Sequence, residues 1–363
     1  LFIDVNLRQV YYHRSKDRKQ ERCLRIAVTG GTGFIGSHVI ELLLSRKCEL
    51  RCLVLPGEDR RWLKDLPVEF YEGDITDRES LPSFLRGCDA IVNIAGLTRA
   101  KTEEEFFRIN KDGPVNLVEA ALSVKDGPRH IVCMSTQAVM GPCADGRCSE
   151  EDDPLNPLTP YARSKAAMEA ALLGYERRGL MHCSFIRAPG VYGPRDRDFF
   201  KYFRMIDKGL RIVTGDAHIT SLVYVKSLAE AIVSCILNPK AFGQAFFVAD
   251  AKPYDWDEFS AMVEKALGRK TVRIYISKAM IYMISFCSET MKPLLRRPPL
   301  IDKYKILEMR QHRWVVSTAK AQRLIGFSPL VDTAQAIAET GRWYRSQGWI
   351  HADSLPEFKK LEA

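Results

Sequence analysis

Tyr161 and Lys165 stand four residues apart in PYARSK, and on a helix that spacing turns a phenol and an ammonium toward one site. The cation favours phenolate. A tyrosine with an ordinary pKa of about 10 then becomes a usable proton donor or acceptor near neutral pH. Upstream, RIAVTGGTGFIGSHV places Gly30, Gly33 and Gly36 directly after a β-branched apolar strand and at the head of an apolar-periodic helix, the context in which a glycine fingerprint binds a dinucleotide. Gly30 permits the tight turn, Gly33 lets backbone approach a pyrophosphate, and Gly36 lets helix and strand pack closely. Phe34 and Ile35 join them in the first helical turn as expected cofactor neighbours. A hydride-carrying cofactor beside a proton-carrying phenol is the minimal equipment for interconverting a secondary alcohol and a ketone.

In NAD-binding proteins an acid about 20 residues further on receives the ribose 2′-hydroxyl. Here the strand ELRCLVL runs into Leu55, Pro56 and Gly57, so the acid is missing from its usual place. Arg60, Arg61 and Lys64 follow and suit a 2′-phosphate, which tilts the expectation toward NADP over NAD. Glu58 or Asp59 is the alternative, reaching the hydroxyl of NAD.

The elements that position these residues alternate between strand and helix. LRIAVTG, ELRCLVL, VEFYEGD, AIVNIAG, HIVCMST and HCSFIRA read as strands. Helices are predicted over 37–45, 79–86, 106–123 and 161–178. Such alternation implies right-handed crossovers and an α/β fold, a doubly wound parallel sheet of Rossmann type with ligands at the carboxyl ends of its strands. After Gly193 the alternation falters and proline, aromatic and basic residues become common, which marks a smaller C-terminal substrate-binding lobe. The predicted organisation is a basic extension (1–23), a dinucleotide-binding domain (24–193, rejoined by 222–250), a substrate lobe (194–221 and 251–345) and a tail (346–363).

TGGTGFIG, with GDITD at 73–77 and NIAG at 93–96, resembles the extended short-chain dehydrogenase/reductase superfamily, and the likeness runs from about Arg25 to Tyr344. It is closest to the NAD-dependent epimerase/dehydratase family, in its 3β-hydroxysteroid dehydrogenase and dihydroflavonol reductase branch. The resemblance implies that Asp74 and Ile75 border the adenine and that Ala95 and Gly96 line the cofactor near its riboses. From the residues alone, Asp74 at a strand end also suits a turn or helix cap. The superfamily's catalytic serine or threonine falls on Thr136 of HIVCMSTQAVMG, where its hydroxyl would hold the reacting oxygen. Ser135 is the neighbouring alternative, and in a strand the two face opposite ways. Asn110 matches the family asparagine that orders a helix and a proton-relay water. Tyr161 and Lys165 match the catalytic pair and also border the cofactor.

Three departures bear on the substrate. Gln137 and Ala138 stand where hexose dehydratases carry an Asp-Glu pair, and neither is a general acid or base. Gly190 and Thr220 replace the Asn and Arg with which nucleotide-sugar epimerases hold a diphosphate, although Arg195, Arg197 or Lys201 could substitute. The expected activity is therefore NAD(P)-dependent oxidoreduction of a small-molecule alcohol or ketone. A nucleotide-sugar epimerase with tightly bound NAD and a non-catalytic dinucleotide-binding scaffold are the alternatives. Scaffold relatives lose the Tyr or the Lys, and this chain keeps both.

Composition sets the outer bounds. With 46% hydrophobic and 27% charged residues the chain can bury a large core, which excludes global disorder. Its 54 Lys and Arg against 45 Asp and Glu, net +9, suit anionic ligands without indicating a nucleic-acid partner. Ten scattered cysteines suit reduced thiols and a cytoplasmic setting, and the pair Cys143 and Cys148 lacks the further ligands of a zinc site, so no metal is expected. AMIYMISFC (279–287) covers about half the ~20 residues of a membrane span. No transmembrane segment is expected. A peripheral membrane contact through that run and the basic MKPLLRRPPL, and a homodimer, stay open.

Overall fold

A computed structural model describes residues 23–214, 218–276 and 311–351, with the single positions 283 and 307. The first half alternates β1 (Arg25–Thr29), α1 (Phe34–Ser45), β2 (Glu49–Val54), β3 (Val68–Glu72), α2 (Leu81–Leu85), β4 (Ala90–Asn93), α3 (Glu103–Phe107), α4 (Gly113–Ser123), β5 (His130–Thr136), α5 (Pro160–Arg177) and β6 (His182–Ala188). There follow β7 (Gly190–Tyr192), α6 (Asp198–Asp207), β8 (Leu210–Thr214), β9 (Ile219–Thr220), β10 (Leu222–Tyr224), α7 (Val225–Cys235), β11 (Gln244–Phe247), β12 (Tyr254–Asp255), α8 (Trp256–Leu267), β13 (Val272–Ile276), β14 (Arg313–Trp314), α9 (Ala319–Ile325) and α10 (Thr333–Ser346). Seven strands form one parallel sheet in the order β11-β6-β5-β4-β1-β2-β3. This is the doubly wound fold that the alternation implied.

Both faces of the sheet are covered, so its strands read as continuous apolar runs rather than alternating ones. Along β1, Ile26 and Val28 enter a core shared with α1 and α7, while Ala27 enters a second core with α2, α4 and α5. Strand order reverses between β1 and β4, and at that switch point a crevice opens beyond the carboxyl ends of the strands.

The helix expected over 106–123 is interrupted. Residues Arg108–Asp112 form a π-helical turn between α3 and α4. Pro114 has no N–H to give to the carbonyl of Asn110, so α-helical pairing cannot run through this point and the ladder widens. The start of α5 is better determined: Thr159 caps it by accepting from the Ala162 N–H at 3.1 Å, and Pro160 occupies the first turn.

A third core forms the lobe, built from Tyr192, Phe203, Phe259 and Tyr344 with neighbours on β10, α8 and α10. Two expected boundaries shift. Ala321, Ile325 and Phe327, on and after α9, pack into the sheet-domain core rather than the lobe, because apolar spacing alone does not say which core a helix joins. Residues 347–351 belong to the lobe instead of a tail: Trp349 stacks on Tyr344 and Ile350 is buried. The basic stretch 1–22, the run 279–287 except Met283, and MKPLLRRPPL lie outside the described residues.

A methyl on Gly36 would sit 2.0 Å from the Gly30 carbonyl oxygen, a backbone atom that cannot swing away. Gly36→Ala is expected to cost more than about 2 kcal/mol in denaturant unfolding. Gly57→Ala, at φ +72 but in open space, should cost about 1 kcal/mol.

Candidate active site

The glycine turn runs from β1 into α1. Gly30 adopts φ +69, and a Cβ there would lie 2.6 Å from the Ala95 amide nitrogen, so the turn is pressed against the chain leaving β4. Gly33 is the extended N-cap of α1 and no side chain caps that helix. Its Cβ direction meets only the Gly30 oxygen, at 3.3 Å. A helix N-terminus free of side chains on this face fits an approaching pyrophosphate. Thr29 donates to Asn93 at 2.7 Å and accepts from the Ala95 N–H at 3.4 Å, which ties β1 to β4 at the crevice.

Around the turn, Glu58 folds back over the end of β2. Its carboxylate accepts from the Thr32 hydroxyl of the glycine turn and from the Leu55 N–H at 2.8 Å. Arg60 points elsewhere, pairing with Glu72 at 3.0 Å over the ring of Phe70. Arg61 pairs with Asp59 on the surface. Asp74 closes a turn by accepting from the Thr76 N–H at 2.8 Å, and Ile75 is buried against Gly113. Phe34 and Ile35 pack against the lobe core.

Lys165 is 3% exposed and donates from Nζ to the Met134 carbonyl on β5 at 2.9 Å. Burial pushes its ammonium down from 10.5 to about 8. A methyl on Gly96 would lie 3.2 Å from that Nζ and 3.0 Å from Asn110 Oδ1, so Gly96, Asn110 and Lys165 meet at one point. Asn110, fully buried in the π-helical turn, accepts from the Leu97 N–H at 2.7 Å and donates to the Leu97 carbonyl and to Ser164. Its amide is a brace between the segment after β4 and helix α5. Tyr161 opens α5 one turn before Lys165, with its ring 6.1 Å from Phe106.

Ser135 and Thr136 face opposite ways, as a strand requires. Ser135 donates to Glu169 at 2.5 Å, whereas Thr136, at the strand end, accepts from the Ala138 N–H at 3.2 Å. Glu169 forms a buried ion pair with Arg187 of β6 at 2.7 Å, and Arg187 also donates to the Glu151 carbonyl. Sequence reasoning missed this pair. The available signal was Glu169 four residues past Lys165, continuing the Tyr161 stripe along α5.

Of the residues thought to select the substrate, Gly190 faces Leu222 and Phe199, and Thr220 donates to the neighbouring Ser221 carbonyl. Gln137 keeps its Oε1 buried without a hydrogen-bond partner among the described residues. Among the described residues no cluster could hold a metal ion.

The pattern of the NAD dependent epimerase/dehydratase family matches residues 26–249. The chain belongs to that family. It is an enzyme of the extended short-chain dehydrogenase/reductase type. A relative 29% identical over 348 residues, covering 88% of this chain and 91% of its own, is the 3-beta-hydroxysteroid dehydrogenase of Mycolicibacterium neoaurum. Another, 26% identical over 328 residues and covering 90% and 96%, is the ceramide reductase of Caulobacter vibrioides (strain NA1000 / CB15N). Among solved structures, the dTDP-glucose 4,6-dehydratase DesIV from Streptomyces venezuelae, with NAD and TYD bound, superposes with a TM-score of 0.73 at 25% identity, over 90% of this chain and 99% of its own. As a family member the chain has a nicotinamide dinucleotide as its expected cofactor, and the glycine turn, the uncapped α1 and the crevice fit one.

The buried ammonium has a measurable consequence. Between pH 8 and 10.5 the unfolded chain still holds the proton on Lys165 while the native state releases it, so this group makes stability rise with pH. Below pH 8 both states are protonated and the native state carries the full penalty, about 3 kcal/mol. Lys165→Met should therefore be more stable than the unsubstituted protein at pH 7, and the gap should shrink toward pH 10.5 in denaturant titrations without cofactor. Arg187→Met, which leaves the Glu169 carboxylate buried and unpaired, should cost about 3–5 kcal/mol.

Proposed function

We propose that this enzyme interconverts a secondary alcohol and a ketone, with Tyr161 as proton donor and acceptor. The observation that carries the reading is Lys165, buried with its Nζ fixed on the Met134 carbonyl one helical turn beyond Tyr161. A cation held there stabilises phenolate over phenol. In the oxidative direction the Tyr161 phenolate takes the hydroxyl proton of the alcohol as the carbinol carbon gives up hydride, and in the reductive direction the phenol returns it. The dinucleotide, when bound, supplies or receives the hydride. Thr136, at the end of β5, holds the substrate oxygen by hydrogen bond, while Ser135 is engaged by Glu169. Asn110 is a positioning residue: its amide groups are spent on Leu97 and Ser164, and it sets the wall against which Lys165 lies.

NAD is the proposed cofactor in preference to NADP. Glu58 lies across the glycine turn at the end of β2, where a carboxylate accepts from ribose hydroxyls and repels a 2′-phosphate. Of the three cations that favoured NADP in the sequence, Arg60 is taken up by Glu72 and Arg61 by Asp59. For the substrate, the apolar neighbours of Gly190 and the hydroxysteroid- and ceramide-directed names of the two relatives support a lipid-like alcohol or ketone over a nucleotide sugar. Every cysteine among the described residues is a free thiol, which supports a cytoplasmic setting.

The deciding assay incubates the protein with NAD or NADP and a panel of hydroxysteroids, long-chain keto lipids and nucleotide hexoses, following nicotinamide absorbance and sugar interconversion. Lipid-dependent absorbance change with NAD is expected. Sugar interconversion without net absorbance change would establish an epimerase instead. Tyr161→Phe should lower turnover by about 10²–10⁴ with little change in NAD affinity. Glu58→Gln should weaken NAD while narrowing its advantage over NADP, and an unchanged ratio of the two dissociation constants would remove Glu58 from the cofactor site.

A further inference from the structure

The lobe carries a surface that the reaction does not use. Strands β8 and β13 form a two-stranded parallel ribbon in which Leu210 pairs with Val272 and Ile212 with Ile274. As alternate residues of paired strands these four share one face. They are exposed by 39%, 68%, 38% and 41% respectively. On the opposite face β8 is anchored, with Arg211 3% exposed and paired with Glu264 of α8 at 3.2 Å and Val213 buried, while Arg273 and Tyr275 of β13 are exposed. An ordinary surface ribbon turns its apolar face inward and its polar face to water. This ribbon keeps four apolar side chains of one face in water, and a contiguous apolar patch on a protein surface marks a place of interaction.

The charge around the patch says what interacts. Lys208 and Lys270 precede the two strands, and the Val272 N–H bond to the Gly209 carbonyl at 2.8 Å sets those strand starts side by side. Both lysines are exposed, as is Lys265 at the end of α8. The nearby acids are already spent, Asp207 on Arg269 and Glu264 on Arg211. Lysines without an acid partner among the described residues, set beside an apolar face, match phosphate headgroups above acyl chains. The sequence after β13 keeps that chemistry, with the apolar AMIYMISFC, whose Met283 is 60% exposed, then MKPLLRRPPL with three cations and no acid. Among the described residues no helix is long and apolar enough to cross a membrane, so the contact is with a surface.

We propose that the outer face of the β8–β13 ribbon docks on an anionic lipid bilayer, with Leu210, Ile212, Val272 and Ile274 at the boundary between headgroups and acyl chains and Lys208 and Lys270 on lipid phosphates. The inference stands apart from the reaction assigned to Tyr161.

The test is flotation of the full chain with vesicles of phosphatidylcholine plus phosphatidylglycerol, against phosphatidylcholine alone. Binding is expected to the anionic vesicles, to weaken with added salt, and to fall about tenfold or more in Lys208→Glu/Lys270→Glu. Val272→Asp, at the most exposed of the four positions, should reduce binding similarly while leaving the unfolding transition in place. Val272→Ser serves the same purpose if the aspartate variant does not fold. Absence of binding to anionic vesicles, or variants that float like the unsubstituted protein, would overturn the proposal. So would a concentration-dependent dimer that Val272→Asp abolishes while vesicle binding persists, since a second copy would then be the occupant.

Discussion

A cation buried in the seam between a helix and a parallel sheet organises this molecule. Lys165 must cross from α5 to the Met134 carbonyl, and it can do so only if α5 lies flat on β5 and the chain after β4 leaves room. Gly96 provides the room, because any Cβ there would press on the Lys165 side chain. Asn110 fixes the distance by bonding both to Leu97 and to Ser164 of α5. The desolvation penalty on the ammonium is thus imposed by three neighbouring constraints, and it depresses the pKa in a direction that stability alone would not select. A site that keeps an unfavourable charge in place is a recurrent mark of chemistry rather than packing.

The same helix carries a second buried charge one turn further on. Glu169 meets Arg187 and Ser135 between α5, β5 and β6, so α5 is held on the sheet at two successive turns by polar contacts. Such pairs add little net stability compared with apolar packing, but breaking one side is expensive, which makes the helix position hard to perturb. Tyr161, at the start of α5, inherits that rigidity. Its placement depends on groups four and eight residues away.

The lobe is coupled to helix α1 from the other side. Phe34 and Ile35 pack into the lobe's aromatic core, His38 bonds the Pro194 carbonyl at 2.9 Å, and Arg195 pairs with Glu41. Burial pushes His38 down to about 4, so this junction is neutral at the histidine across physiological pH. Arg195, offered by its sequence position as a contact for a substrate diphosphate, is engaged between Glu41 and the face of Trp62. The guanidinium serves the joint between domains.

Local patterns were enough for the elements whose signal is local. Three glycines between a β-branched strand and an apolar-periodic helix can make only a few turns, and the i, i+4 pair on a capped helix fixes the relation of Tyr161 to Lys165. Alternation of strand and helix determined the parallel sheet for the same reason, since crossovers leave little choice of topology. What remained undetermined were contacts between residues far apart in sequence. Arg60 looked like a phosphate ligand until Glu72, twelve residues on and one strand over, claimed it, and the choice between Glu58 and Asp59 for a ribose hydroxyl stayed open until the loop brought Glu58 to Thr32. The widened turn at Asn110, the core that α9 joins, and the outward apolar face of the β8–β13 ribbon follow equally from neighbours supplied by the folded chain. Charge partners and burial are properties of three-dimensional proximity, which composition and spacing do not encode.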